Sequence, residues 1–242
     1  MKKLLQKILS KFGLRLSRIP IYIDPVAPFS LLEMAIKLQL DKEKKEFYFL
    51  QIGANDGILA DALNPIIRKY RLPGCLVEPM RDVYKDLKMN YVDQKQLDFR
   101  NVMVSHKNGI GTMYRFRRDA ELPASFYHGL AREDSDYIFK RAKAAGLTHL
   151  VESLEVKSET FDTLIDSLAV KHISLLFIDT EGSDDGIIEA AFESGIFPPI
   201  INYEWTEMTP QRRYLLKMKL LDHGYRFIDN GADTICMRGV HA

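Results

Sequence analysis

The 242-residue chain is 46% hydrophobic and 28% charged with a formal net charge of +1, a composition that suits one packed domain and excludes a disordered, collagen-like or coiled-coil chain. Its two cysteines, Cys75 and Cys236, sit in apolar runs outside any CxxC pair, so no disulfide scaffold or zinc ribbon is expected, and both thiols read as buried and reduced in a cytoplasmic compartment. Residues 1–20 carry six basic residues and no acid, which leaves 28 bases against 33 acids elsewhere; a negative body argues against an enzyme that tracks nucleic acid.

Leu4, Leu5, Ile8, Leu9 and Phe12 recur at helical spacing between lysines. The first dozen residues therefore read as a basic amphipathic helix, either laid on an anionic membrane surface or forming a solvated or docked tail. No window reaches the roughly 18 apolar residues of a spanning helix, and Gln6, Lys7, Ser10 and Lys11 interrupt any secretory core. A second helix starts at the capping box Ser30-Leu31-Leu32-Glu33, and residues 1–45 are taken together as an N-terminal helical extension of a domain spanning 46–242.

From residue 46 short apolar runs alternate with helical segments, the pattern of a mostly parallel α/β sheet with crossover helices. The strands expected are Phe47–Ile52, Cys75–Glu78, Phe99–Ser105, Ser174–Asp179, Ile200–Glu204, Tyr225–Ile228 and Thr234–Met237. Two further β pieces, Gly111–Phe116 and Leu154–Ser158, flank a polar, helical insert over about 119–150 that would serve as a substrate lid. Asp229-Asn230-Gly231-Ala232-Asp233 reads as a hairpin turn; strand order cannot be read directly, but a terminal hairpin fits an antiparallel strand closing the edge of an otherwise parallel sheet.

The first strand runs into Gly53-Ala54-Asn55-Asp56-Gly57, whose glycines allow a sharp turn and close approach to a ligand. It is neither a Walker loop nor a full GxGxxG. Glu78 ends the second strand, where an acid accepts hydrogen bonds from the ribose hydroxyls of an adenosine. Asp56 repels a pyrophosphate and suits an ammonium or a sulfonium, so S-adenosylmethionine is favoured over a dinucleotide, although Asp56 also reads as a helix cap.

The fourth strand ends in Asp179-Thr180-Glu181-Gly182-Ser183-Asp184-Asp185, four carboxylates at the strand end where ligands bind. Asp184 or Asp185 reads as a helix cap, whereas Asp179 and Glu181 are candidates to hold the cofactor or take a proton. Orienting a substrate hydroxyl or binding a divalent ion are further roles open to them, but the spacing fits no EF-hand loop and no metal is assigned. The Asn-Pro-Pro-aromatic turn of base-amine methylation, a Pro-Cys nucleophile, a GxSxG elbow and HExxH are all absent. His128, in the insert, is a further candidate base or an ordinary loop residue. Glu204 is read at the cleft rim, and Trp205 either stacks on substrate or packs in the core.

The ordered set Gln51-Ile-Gly-Ala-Asn-Asp-Gly57, Val77-Glu78-Pro79, Asn101-Val-Met-Val-Ser105, Thr160-Phe-Asp-Thr-Leu164, Ile178-Asp-Thr-Glu-Gly182 and Tyr203-Glu204 resembles the FkbM family of S-adenosylmethionine-dependent methyltransferases. The resemblance spans roughly residues 46–238. It implies the class I methyltransferase fold, Rossmann-like, with a seven-stranded sheet, an antiparallel last strand and helices on both faces. It also implies O-methylation of a sugar, glycolipid, polysaccharide or other natural product. By position, Gly53 and Gly57 would line the cofactor with Ala54, Asn55, Asp56 and Ser105; Glu78 would hold its ribose, and Asp179 and Glu181 would flank the methyl group. Asp184-Asp185 departs from the family pattern. The competing readings are a non-catalytic binding protein of the same fold, against which Gly53, Gly57 and Glu78 stand, and an NAD-dependent oxidoreductase, which Asp56 and the missing third glycine oppose. A membrane-facing start would suit an enzyme that modifies lipid-linked glycans at an inner membrane surface.

Overall fold

The computed structural model describes residues 30–239, apart from residues 125 and 171. The basic helix expected over the first dozen residues lies outside them. Helix α1 (Leu31–Glu43) begins directly after Ser30 and buries Leu32, Ala35, Ile36 and Gln39, the i, i+3, i+4, i+7 stripe of a helix packed on one face. Strand β1 (Phe49–Ile52) follows, then α2 (Asn64–Tyr70), β2 (Gly74–Val77), α3 (Arg81–Asn90) and β3 (Leu97–Arg100). The chain next forms β4 (Met103–Val104), β5 (Gly109–Phe116), α4 (Phe126–Gly129), β6 (Ala131–Arg132), α5 (Ser135–Ala145) and β7 (Val151–Glu159). It ends with α6 (Phe161–Leu168), β8 (Leu175–Ile178), α7 (Asp184–Glu193), β9 (Ile200–Glu204), α8 (Pro210–Asp222), β10 (Tyr225–Asn230) and β11 (Asp233–Arg238).

The seven expected strands form one sheet in the order β10-β11-β9-β8-β1-β2-β3. The pairs β1–β2, β1–β8, β2–β3 and β8–β9 are parallel, and β11 runs antiparallel to both β9 and β10. This is the class I methyltransferase arrangement. Every residue of β1, β2 and β8 is buried, because helices cover both faces of a parallel sheet and leave no place for an alternating polar side. Leu50, Ile52, Leu176 and Ile178 pack on one face with Phe161 and Ile188. Phe49, Leu175 and Phe177 pack on the other with Ile36, Ile67 and Tyr91. Gln51 alternates onto this second face, a polar residue within an apolar layer. Both cysteines are buried and free.

Two expectations need correction. The last strand does not close the sheet: β11 lies between β9 and β10, and β10 is the edge. The burial of the two strands gives the reason, since Thr234, Ile235 and Cys236 of β11 are buried in succession while β10 buries Tyr225, half-buries Phe227 and is exposed from Ile228 to Asn230. The hairpin itself is as expected, with Asn230 paired to Asp233 and Gly231 at φ +69°. The expected strand Phe99–Ser105 is two strands in two sheets. The break falls at Asn101, whose Nδ2 donates to the carbonyls of Glu78 and Pro79 at 2.8 and 2.9 Å, satisfying groups that a continued ladder would otherwise have to reach.

The residues beyond Asn101 build a four-stranded sheet, β4-β7-β5-β6. Its long antiparallel pair, Gly109–Phe116 with Val151–Glu159, carries the mainly helical insert at its far end. Among the described residues no helix is long and apolar enough to cross a membrane.

The central strands are the stability-determining layer. Leu176→Ala, at a fully buried position of β8, is expected to lower unfolding free energy by about 2–5 kcal/mol, read from the midpoint of denaturant unfolding at unchanged slope.

Candidate functional site

At the carboxyl ends of β2, β1 and β8 the backbone turns define a cleft. Gly53 and Ala54 both donate N–H to the Val77 carbonyl at 3.0 Å, and Asp179 donates to Ile52 at 3.0 Å. Gly53 has φ +84°, and a Cβ there would lie 1.8 Å from the Asp179 carbonyl oxygen. Only glycine permits both the left-handed backbone and this approach.

Glu78, 6% exposed, is fixed by two backbone donors: Asn55 to Oε2 at 3.0 Å and Met80 to Oε1 at 2.8 Å. Burial pushes its carboxyl up to about 7 against the pull of these two bonds. Beside it, Met80, Val83, Met103 and Met113 form an apolar cluster that lines one end of a cavity of about 310 Å³. Gly53, Ala54, Asn55, Glu78, His128, Asp179 and Glu181 all contribute to its wall, so seven of the expected site residues are brought together.

Three are not. Asp56 closes its own turn, Oδ1 accepting from the backbone of Ile58 at 2.9 Å and Leu59 at 2.7 Å. This is local capping, in a loop rather than on a helix, because α2 starts only at Asn64. Gly57 faces inward, where a Cβ would strike Tyr91 and Leu87. Ser105 lies in a second cavity of about 480 Å³ with His106, Thr160, Asp162 and Glu189, which adjoins the first at Val104, Glu133 and Ser183.

The other end of the main cavity is acidic. Glu181 at φ +58° and Gly182 at φ +118° make a left-handed turn after β8, a conformation that bears strain for a glutamate. Asp179 is open to the cavity, but the protein around it, and then Glu204, Glu181, Asp184 and Asp233, raise its carboxyl to about 8. Burial and then Glu204 and Glu207 bring Glu181 to about 7, with Arg132 opposing. Arg132 lies 3.7 Å from the ring centroid of Tyr137 and 3.4 Å from Glu207, which also accepts from Arg141 at 2.9 Å. Glu207 thus joins the insert to the loop after β9. Among the described residues no group of three His, Cys, Asp or Glu side chains is placed to hold a metal ion.

Asp184 is fully buried and, against expectation, caps no helix: Ser183 is the N-cap of α7 and Asp184 its first residue. Its Oδ2 accepts from Thr180 Oγ1 at 2.7 Å and its Oδ1 from the Glu204 backbone at 3.1 Å, tying the ends of β8 and β9 together. Asp185 pairs with Arg212 at 2.8 Å. Trp205 packs against the core and under the Arg213 guanidinium, 3.6 Å from the ring centroid. Sequence reasoning missed Gln51, Asp61, Arg115 and Arg132 in the cavity wall. Gln51 alone carried a signal, a polar residue inside an apolar strand. The guanidinium of Arg115 is engaged by Asp82 and Glu152 at 2.8–2.9 Å, so it offers no free charge to a ligand.

Carboxyls raised in the fold bind protons more tightly folded than unfolded, so stability is full at low pH and falls as pH rises through the raised values. With Glu78, Asp179 and Glu181 at about 7, 8 and 7, the ligand-free protein is expected to melt at progressively lower temperature between about pH 5 and pH 8. Asp179→Asn should flatten that slope in thermal unfolding scans.

The family described as the methyltransferase FkbM domain matches residues 51–227. Among curated proteins none matches this chain. Several solved structures are similar. The SAH-bound methyltransferase PaMTH1 of Podospora anserina shares 9% identity over 89% of this chain and 80% of its own, with TM-score 0.45. The O-methyltransferase TomG of Streptomyces achromogenes, involved in tomaymycin synthesis and solved with SAM, shares 9% over 99% and 100%, with TM-score 0.45. A human methyltransferase 10 domain containing protein shares 12% over 98% and 94%, with TM-score 0.43.

Proposed function

Because this chain belongs to the FkbM family of methyltransferases, we propose that it transfers the methyl group of S-adenosylmethionine to a hydroxyl of a sugar, glycolipid or related natural product. The observation that carries the reading is Glu78, a buried carboxylate held by two backbone N–H groups between an apolar slot and an acidic mouth. The residues fit that cofactor. Glu78 retains lone pairs for ribose hydroxyls, the thioethers of Met80, Met103 and Met113 suit a flat aromatic base, and Asp179 with Glu181 matches a cationic sulfur.

Bound there, the cofactor supplies an electrophilic methyl group. The chain must then place an acceptor oxygen in line with it and remove the hydroxyl proton. Glu181 is assigned that proton: its strained turn holds it in the cavity wall, and its carboxyl at about 7 makes it a base close to neutral pH. Asp179 orients the cofactor, and His128 on α4 lines the same cavity. The excess of carboxylates around the mouth disfavours phosphorylated acceptors, which supports a neutral polyol.

Calorimetry with S-adenosylhomocysteine tests the site. Glu78→Ala is expected to weaken binding about tenfold or more, while Glu181→Gln keeps the affinity and lowers turnover. Wild-type turnover should rise as pH passes about 7, where Glu181 releases its proton. Unchanged affinity in Glu78→Ala would remove the assignment.

The basic, leucine-bearing sequence of residues 1–20 further supports action on lipid-linked acceptors at the cytoplasmic face of a membrane. Full-length protein should co-sediment with anionic vesicles and lose that binding when Lys2, Lys3, Lys7 and Lys11 are changed to Glu; equal sedimentation of both forms would dismiss the membrane contact.

A further inference from the structure

Ile58 and Leu59, in the loop after Gly57, are 58% and 42% exposed, and Met89 and Val92, at the end of α3, are 70% and 62% exposed. Single exposed apolar side chains need no explanation, but four together do. The two segments meet: Asn90 Nδ2 donates at 2.9 Å to the Asp56 carbonyl, 34 residues away in sequence, and a Cβ on Gly57 would strike Tyr91 and Leu87. Loop and helix end therefore share one surface.

Lysines flank this apolar surface. Lys85 and Lys88 are exposed on α3, and Lys85 stands four residues before Met89, on the same helix face. Lys88 Nζ lies 5.7 Å from the Tyr84 ring centroid, and Lys95 Nζ donates to the Val92 carbonyl at 3.0 Å. The acids close by are engaged elsewhere: Asp56 in its own turn, Asp86 with Arg118 at 2.7 Å and Asp93 with Arg68 at 3.1 Å. Among the described residues no carboxylate pairs with Lys85, Lys88 or Lys95, so their charge faces outward around the four apolar side chains.

An apolar centre with a cationic rim matches a lipid surface, where apolar side chains sink below the headgroups and lysines meet anionic lipid. A second copy of the chain would bring lysines toward lysines across a two-fold axis, and a nucleic acid would leave the apolar side chains without a contact. We propose that residues 58–60 and the end of α3 form a docking surface for an anionic membrane, a second anchor on the folded domain beside the basic sequence of residues 1–20. Stable attachment takes two such signals, since one alone gives weak, reversible binding. Leu59 and Ala60 also line the main cavity, so its rim meets the lipid. On the lipid-linked reading above, the acceptor's head reaches the cavity without leaving that surface.

The test is co-sedimentation of the full chain with vesicles of phosphatidylcholine and phosphatidylserine, against phosphatidylcholine alone. The double variants Lys85→Glu with Lys88→Glu, and Ile58→Ser with Met89→Ser, are each expected to lower partitioning into the anionic vesicles by about tenfold or more. Residues 1–20 are intact in both, and the melting temperature should be unchanged. Met89→Trp reports the place of contact: brominated acyl chains should quench its fluorescence, and should not quench Asp222→Trp on α8. Wild-type partitioning in both double variants, or equal quenching at the two positions, would overturn the proposal and leave the contact through residues 1–20 standing. Failure of wild type to sediment with anionic vesicles would overturn both. A lipid-free dimer that Ile58→Ser with Met89→Ser dissociates, seen by sedimentation velocity, would overturn the proposal in favour of a second copy.

Discussion

The backbone crossing at Gly53 and Asp179 governs the whole site. With a Cβ position only 1.8 Å from the opposing carbonyl oxygen, the turns leaving β1 and β8 pass each other at a separation that no side chain can share. They must then diverge, one toward α2 and the other toward α7, and the cleft opens where they part. The third wall comes from β2, whose terminal Glu78 is hydrogen-bonded to the first turn through Asn55. Three neighbouring parallel strands therefore fix Gly53, Glu78 and Asp179 through their main chains.

Against that rigid frame stands an electrostatic surplus. Asp179, Glu181, Glu204 and Glu207 converge on one region, where Arg132 is the cation that opposes Glu181. Arg115, the other cation of the wall, is neutralised by Asp82 and Glu152. A fold optimised only for stability would not gather carboxyls whose protons are held up to about 8. A positively charged ligand bound there, as proposed for the sulfonium, would relieve that imbalance and be favoured over a neutral sulfide.

Much of this was legible because parallel strands advertise themselves. Runs such as Phe49-Leu50 and Leu175-Leu176-Phe177-Ile178 are buried on both faces, and their ends coincide with glycine and carboxylate, so the strands of the large sheet and seven residues of the cavity wall could be placed from local pattern. Strand order at the far edge could not, because a hairpin fixes the pairing of β10 with β11 without saying which of them meets β9. The split at Asn101 was hidden for a similar reason: its cause is a side chain reaching the carbonyls of Glu78 and Pro79, more than twenty residues away in sequence. Asp61 and Arg132 reach the cavity through loops that fold back on it, and no periodicity encodes such a return. Asp56 turns its Oδ1 onto its own backbone at Ile58 and Leu59, the local capping that the sequence also offered for it, though in a loop and not on a helix.

The departure of the chain from the large sheet at Asn101 divides the molecule by evolutionary freedom. Everything from β4 to β7 hangs from one margin of the parallel layer and re-enters it only at α6 and β8. The insert beyond β5 can lengthen, shorten or change character without altering the backbone crossing at Gly53 and Asp179. Change in the insert therefore reshapes the cavity wall at His128 and Arg132, while the turns leaving β1 and β8 keep their form.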